Sequence, residues 1–166
     1  MKRRFLAFIL LLLILFILGG RNSTPKDATN TLKITEADEE IIQEYLDTKT
    51  NNISSPNQNG KMYSTFEILG TDSNKIYVWM LKYEYLGKGK GLTNGVSIPI
   101  VLYIQAEEYE IRIKNHKYPK DGMEYGKSLK KLFPQNVITK MNNNHNELIK
   151  QLEERIQNRI KEDVES

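Results

Sequence analysis

The middle of the chain, from residue 61 to residue 117, contains four segments that are continuously apolar or alternate between apolar and polar positions with a period of two. This period is typical of β-strands, because successive side chains point to opposite faces of a sheet. It predicts four strands, in the segments KMYSTFEILG, NKIYVWMLKYEYL, GVSIPIVLYIQ and EYEIRIKNHKY. The short segments DSN and AEE between them favour hairpin turns, and hence an antiparallel sheet.

The second strand carries the strongest pattern. Its first half is apolar on both faces, which predicts a central strand covered on both sides there. We expect Trp79 to be a core residue packed beneath the first helix. In the second half, Lys82 and Glu84 alternate with Tyr83 and Tyr85. This mixture predicts exposure at the end of the strand.

The third and fourth strands each contain one informative residue. Pro99 lacks a backbone donor, so the third strand should be an edge or carry a bulge at that point. In the fourth strand, Ile111 and Ile113 should point one way, and Lys114 and His116 the other. The pattern predicts a half-exposed antiparallel strand with a solvated His116 on its polar face.

A helical period precedes the strands. Thr35 and Asp38 form a capping box, and the apolar stripe that follows predicts a helix from about residue 36 to 48. The sum is an α+β domain in which one helix packs on a four-stranded antiparallel sheet and C-terminal helices follow. The order is that of cystatin-like or similar one-sheet architectures.

Helical periodicity returns after the strands. A short helix beginning near Tyr125 is ended by Pro134, and a longer helical region follows, with a break near residue 143. A narrow apolar stripe on the last helix should pack on the sheet of its own chain; pairing with a second chain is the alternative. That stripe consists of Ile149, Leu152, Ile156 and Ile160.

The N-terminus combines the basic start MKRR with an unbroken apolar run of 14 residues, Phe5–Leu18. A membrane-spanning helix needs about 20 residues, so the run is short for a span. Leu18-Gly19-Gly20 resembles the first three positions of a bacterial lipoprotein box, but Arg21 occupies the place of the lipid-bearing cysteine. An uncleaved anchor, a cleaved export signal and a degenerate lipoprotein signal all remain open.

These features divide the chain into a signal peptide or membrane anchor (1–20), a polar linker (21–34), an α+β extracytoplasmic domain (35–134) and a C-terminal helical segment (135–166). The basic end should remain in the cytoplasm. The expected location is therefore the cell membrane, contacted through Phe5–Leu18, with the bulk of the chain outside. Secretion after cleavage is the alternative.

Composition excludes several kinds of chemistry. The chain has no cysteine, so disulfides, thiolate ligands and a cysteine nucleophile are excluded. It has only two histidines, which excludes a zinc site built from several histidines of one chain. The net charge of +3 is matched by Lys2, Arg3 and Arg4 alone, so no nucleic-acid partner is expected. We expect no cofactor and no metal.

The candidate ligand or partner surface consists of Tyr83, Tyr85, His116 and Tyr125. Tyrosine rings provide contact area and keep one polar group, as in platforms that bind sugars or peptides. His116 could serve as a general base only beside a carboxylate that orients it. The GKGKG segment lacks a following helix and is predicted to be a hairpin loop rather than a phosphate loop.

Residues 74–134 contain the segments KIYVWMLKYEY, GVSIPIVLYI and NHKYPKDGMEYGKSLKKLFP. Together they resemble an uncharacterised extracytoplasmic domain of low-GC Gram-positive bacteria. That domain occurs in small membrane-tethered or lipoprotein-like chains, and is appended to membrane metallopeptidases related to β-lactam sensors. The resemblance implies an outer module without an enzyme, because the chain has no His-Glu-x-x-His motif and the family offers no catalytic residue to transfer.

The sequence therefore predicts a non-enzymatic, membrane-tethered extracytoplasmic module that binds or senses an unknown envelope ligand. One alternative is an envelope hydrolase with a site around His116. The other is an assembly subunit that associates through its C-terminal helix.

Overall fold

The computed structural model describes residues 32–56, 59–143 and 145–165. The apolar run Phe5–Leu18 and most of the predicted linker lie outside these residues. The chain forms, in order, α1 (Glu36–Lys49), β1 (Lys61–Asp72), β2 (Lys75–Tyr85), β3 (Leu92–Ala106), β4 (Ile111–Lys117), a 3-10 turn (Gly122–Glu124), α2 (Tyr125–Leu132), α3 (Gln135–Asn143) and α4 (His145–Glu165). The fold is α+β with one four-stranded antiparallel sheet.

The strands form a meander in the order β1-β2-β3-β4, in which each strand pairs with its neighbour along the chain. Helix α1 covers one face of the sheet, and α3 and α4 cover the other, so β2 is buried on both sides. On the α1 side, the buried core contains Ile42, Leu46, Ile76, Val78, Met80, Ile98, Ile100, Leu102, Ile104 and Ile111. The predicted central strand, covered on both sides, is confirmed.

The local signals at helix α1 and helix α4 behave as expected. Thr35 Oγ1 accepts from the Asp38 amide at 3.2 Å, and Asp38 Oδ2 accepts from the Thr35 amide at 2.9 Å, which completes the capping box. The stripe of α4 packs against the sheet of its own chain. Three of its four predicted residues, Leu152, Ile156 and Ile160, are buried, whereas Ile149 is only partly buried and Leu148, which was not predicted, takes its place in the core.

Two expectations for β2 are wrong. Trp79 faces the C-terminal helices rather than the first helix, because odd-numbered positions of β2 point away from α1. Its indole Nε1 donates to Ser97 Oγ at 2.8 Å. Lys82 and Glu84 are fully buried under α1 rather than exposed. The strand does not emerge from the core at its end, since the loop that follows α1 continues to cover it.

Pro99 lies opposite Trp79, on the inner strand β3. Ile104 donates its amide to the Asn74 carbonyl at 3.0 Å, and hydrogen-bonded pairs alternate along an antiparallel ladder. Even-numbered residues of β3, such as Ile104, therefore form the hydrogen-bonded pairs with β2. Pro99 is at an odd-numbered position, so its nitrogen faces away from β2. Strand β4 ends opposite Val101, so in the described sheet β3 is an edge at Pro99. The predicted edge position is confirmed and costs no ladder bond.

A β-bulge in β4 changes the direction of His116. Ile113 pairs with Ile104, whereas the next paired residue of β4 lies two positions further on, which leaves Lys114 as the extra residue. His116 therefore pairs with Leu102 and faces α1. The predicted placement of His116 on the polar face with Lys114 is wrong, because a bulge interrupts the period of two.

The exposed edge of β1 is closed by side chains from the helices. The carbonyl oxygens of Ser64, Phe66 and Ile68 accept from Arg159, Arg155 and Lys140, respectively. These cationic groups occupy acceptors that would otherwise pair with another strand. Within the described ranges, no helix is both long and apolar enough to cross a membrane.

Candidate functional site

A groove of about 600 Å³ lies between α4 and the neighbouring ends of β2 and β3. It contains one of the tyrosines that the sequence singled out. The lining residues are Tyr83, Leu92, Lys150, Glu153, Glu154, Ile156, Gln157 and Asn158. We refer to it as the Tyr83 groove.

A glycine in the adjacent strand sets the position of Tyr83. Gly95 pairs with Tyr83 across the β2–β3 ladder. A Cβ atom on Gly95 would lie 2.1 Å from the Tyr83 ring, which no real contact permits. The ring therefore lies over the Gly95 backbone because glycine has no side chain there, and it remains half-buried beside the groove.

The polar groups on α4 that border the Tyr83 groove are not engaged elsewhere. Lys150, Glu153, Glu154 and Gln157 are exposed, and none of them makes a hydrogen bond or ion pair within the described part of the chain. The groove thus combines an aromatic ring and apolar side chains with carboxylate, ammonium and amide groups that are free to bind. Polar groups beside an aromatic ring are the kind of groups that fix the orientation of a bound ligand, although polar side chains outnumber apolar ones in this groove.

A second groove of about 500 Å³, at the edge of β1, differs in this respect. Arg155 donates to Phe66 O at 2.9 Å and to Glu67 Oε2 at 3.1 Å. Arg159 donates to Asp47 Oδ2 at 2.9 Å and also to a β1 carbonyl. Both guanidinium groups hold α4 to the sheet, so we assign this groove a structural role.

His116 lies on the opposite side of the sheet from Tyr83. The Tyr45 hydroxyl is 3.0 Å from His116 Nδ1, and the Tyr118 ring stacks on the imidazole at a centroid distance of 6.2 Å. Burial lowers the pKa of His116 and raises the pKa of Tyr45. Both shifts favour the neutral forms, in which the tyrosine hydroxyl donates to Nδ1 when the histidine proton is on Nε2.

A histidine that acts as a general base needs a neighbouring carboxylate to orient it, and the described residues place none against His116. Among the described residues, no carboxylate hydrogen-bonds to its imidazole. Glu124, eight positions after His116 in the sequence, instead accepts from Lys120 at 2.6 Å. Asp121 is exposed beside the 3-10 turn. The hydrolase alternative thus finds no orienting group in the described structure.

The four residues of the predicted surface do not lie together. Tyr83 and Tyr85 are on the side of the sheet that α4 covers, and Tyr85 packs edge-on against Tyr63 at 6.2 Å. Tyr125 is partly exposed at the start of α2, and burial raises its pKa. His116 faces α1. Whether any of them binds a ligand stays a prediction, but only Tyr83 borders the groove on α4.

Two charged residues that the sequence places at an exposed strand end are buried and form specific hydrogen bonds. Lys82 Nζ donates to the carbonyl oxygens of Leu46 and Asp47, both at 3.2 Å, and to Thr50 Oγ1 at 3.0 Å. Glu84 accepts from the backbone amide of Gly60 at 2.8 Å. Both residues lie on the face of β2 that is apolar earlier in the strand. Because that face continues beneath α1, their position in the alternation was the signal that they are buried.

In the described part of the chain, no group of three or more histidine, cysteine, aspartate or glutamate side chains is arranged to hold a metal ion. Comparisons with models of protein families, with curated proteins and with solved structures find no match to this chain.

Proposed function

We propose that this chain is a non-enzymatic binding module of the cell envelope, tethered to the membrane through Phe5–Leu18 and placed outside the cytoplasm. Its folded domain binds a saccharide in the Tyr83 groove. The observation that carries the proposal is the groove itself, in which a tyrosine ring lies beside polar side chains that have no partner in the described chain. The basic start of the sequence supports the placement.

The chemistry of the groove favours a saccharide. An aromatic ring offers a flat apolar surface to the apolar face of a pyranose, while carboxylate and amide groups bond to its hydroxyls. Both signs of charge border the groove, from Lys150 and from Glu153 and Glu154, so the ligand need not carry a charge of its own. The resemblance to envelope domains of Gram-positive bacteria and the cystatin-like order of elements are parts of the same proposal.

Binding can be measured on the full chain in lipid nanodiscs by amide NMR. The probe is a tetramer of β-1,4-linked N-acetylglucosamine. We expect shifts to be confined to the Tyr83 groove and to vanish in Tyr83→Leu. Tyr109→Leu, which changes an 85% exposed tyrosine in the β3–β4 loop, is the matched control and should bind as the native chain does. Unperturbed amides at saturating saccharide would overturn the ligand class, and a short peptide tested in parallel would then be the next candidate.

Placement is tested separately. The chain has no cysteine, so Glu40→Cys on the exposed side of α1 creates a unique thiol. A maleimide that cannot cross membranes should label this thiol in intact cells. Labelling only after lysis would place the domain in the cytoplasm, and labelled protein in the medium would show that the N-terminal segment is cleaved.

A further inference from the structure

Charge is unevenly distributed along the chain. Between residues 112 and 131, seven side chains are basic and two are acidic, whereas α1 carries six acidic side chains and one basic one. Helix α1 covers one face, and α2 packs on the other through Leu129 and Leu132. The α1 side of the sheet is therefore strongly acidic, whereas the opposite side combines the lysines of α2 with helix α4, which carries six acidic and four basic side chains.

Two lysines from separate strands meet on the side of the sheet opposite α1. Lys75 of β2 and Lys117 of β4 place their ammonium groups 5.9 Å and 5.5 Å from the centre of the same Tyr103 ring. Three more lysines lie on α2. We call this set the basic face, and it comprises Lys75, Lys117, Lys127, Lys130 and Lys131. Among the described residues, no carboxylate forms an ion pair with any of these five.

An apolar side chain projects from the turn that leads into α2. Met123 is fully exposed, and Tyr125 at the start of the helix is partly exposed. Lys120 and Lys127 flank them in the sequence. Asp121 and Glu124 lie closer to Met123, and Lys120 pairs with Glu124, so attraction to an anionic surface has to come from the lysines of α2 and of the sheet. An exposed methionine beside such lysines can enter a lipid–water interface.

The sheet end that receives the N-terminal chain is the end where the basic face begins. The Leu32 carbonyl accepts from Thr71 Oγ1 at 3.0 Å, just before the turn that leads to Lys75. The glutamates at 107, 108 and 110 also lie toward this end, but on the α1 side, because Ile111 next to them donates its amide to Asp38 at 2.9 Å. A membrane near the tether can thus contact the basic face without facing the acidic groups of α1 and of the β3–β4 loop.

We propose that the basic face, with Met123 at its tip, docks on an anionic lipid bilayer and fixes the orientation of the domain on the membrane. Lysines attract anionic headgroups over about one Debye length, and the methionine side chain inserts among the lipids. The acidic α1 side is repelled by the same surface. The idea rests on the proposed function, in that the tether brings the domain to the bilayer.

The full chain with Met123→Cys, labelled with a nitroxide, tests this docking in vesicles. Spin-label accessibility to oxygen relative to a water-soluble nickel complex rises when a site enters lipid. We expect this ratio to rise several-fold in vesicles that contain phosphatidylglycerol, to stay low in pure phosphatidylcholine, and to fall again in high salt. Labelled Glu40→Cys, on the acidic side, is the matched control and should show no rise.

A charge-reversed variant identifies the groups responsible. In the Met123→Cys background, the combined changes Lys127→Glu, Lys130→Glu and Lys131→Glu should abolish the rise. Fluorescence of Trp79, the only tryptophan, confirms that the variant is folded. A spin label that stays in water on anionic vesicles, or enters lipid equally in neutral ones, would overturn the docking.

Flotation of the vesicles separates this inference from the tether. If the chain floats with both lipid compositions but the label at position 123 stays in water, the tether is supported and docking through the basic face is rejected. Chain that floats only with anionic vesicles supports the basic face and rejects the tether. Chain that floats with neither rejects both, since a docking face would hold the protein on anionic lipid unaided.

Discussion

The ammonium group of Lys82 lies 3.0 Å from the hydroxyl of Thr50, the residue at which helix α1 ends. The same ammonium also donates to the carbonyls of Leu46, which accepts from the Thr50 hydroxyl as well, and of Asp47, in the last turn of the helix, where backbone acceptors lack intrahelical partners. A positive charge at a helix C-terminus is favoured by the helix dipole. Lys82 thus joins the sheet to α1 by satisfying backbone acceptors inside the core, while burial lowers its pKa.

Replacing Lys82 with methionine keeps an unbranched apolar side chain, one atom shorter than lysine, and removes the donor. We expect the free energy of unfolding to fall by about 2–4 kcal/mol, because buried carbonyls lose a charged partner. Denaturant unfolding of the full chain in detergent, followed by Trp79 fluorescence, measures the loss. Lys49→Met, which changes an exposed lysine in the last turn of α1, is the control. Equal stability of the Lys82 variant and the native chain would show that water satisfies the carbonyls.

The pair Tyr45–His116 predicts a dependence of stability on pH. The pKa of His116 is lowered in the folded state, so below pH 6.5 the unfolded chain takes up a proton that the folded chain resists. The contribution of His116 to stability is thus intact above that pH and declines as the solution is acidified. His116→Phe should reduce the loss of unfolding free energy between pH 7.5 and pH 5.5. An identical loss in both proteins would refute the assignment.

Asp47 protects an amide on the edge of the sheet. Its Oδ1 accepts from the Ser64 amide at 3.0 Å, and its Oδ2 from Arg159 at 2.9 Å. Asp47→Ala should accelerate hydrogen exchange at the Ser64 amide by about 10–100-fold, as expected for the loss of one charge-assisted hydrogen bond. Glu44→Ala, an exposed change in the same helix, should leave that amide unaffected. Unchanged exchange in the Asp47 variant would mean that other groups protect the edge.

Gly60 is required by a close approach rather than by an unusual backbone angle. A Cβ there would lie 2.7 Å from the Tyr85 carbonyl oxygen and 2.5 Å from Glu84 Cγ. Gly60→Ala should therefore destabilise the fold by about 1–3 kcal/mol through overpacking. Gly126→Ala, in α2, meets no atom within 4 Å and should be neutral or slightly stabilising. If both variants unfold at the same denaturant concentration as the native chain, the packing at Gly60 is not as tight as described.

Much of the fold follows from local patterns. The alternation in β2, the Thr35–Asp38 box and the break near residue 143 depend on neighbours within a few positions, so the sequence contains them in full. The helix against which Trp79 packs and the burial of Lys82 could not be predicted in this way. The period of two separates the faces of a strand, but it does not say which helix covers which face.

In the candidate site, too, local features could be predicted from the sequence, whereas contacts between distant segments could not. Tyr83 was recognised as an amphipathic residue that could bind, but the groove beside it needs α4, which joins the sheet from some 70 residues away in the sequence. The direction of His116 was missed because one extra residue in β4 shifts the alternation. A bulge leaves no reliable signal in the sequence, since it is stabilised by contacts between strands.

The sequence by itself determined the order of helices and strands, the antiparallel sheet, the central position of β2 and the apolar run at the N-terminus, because each depends on the periodicity or composition of one segment. Only the tertiary structure decided which helices cover which face of the sheet, that Lys82 and Glu84 are buried, and that lysines of β2 and β4 meet at one tyrosine ring. These outcomes depend on which surfaces meet, and the contacts join residues that are distant along the chain.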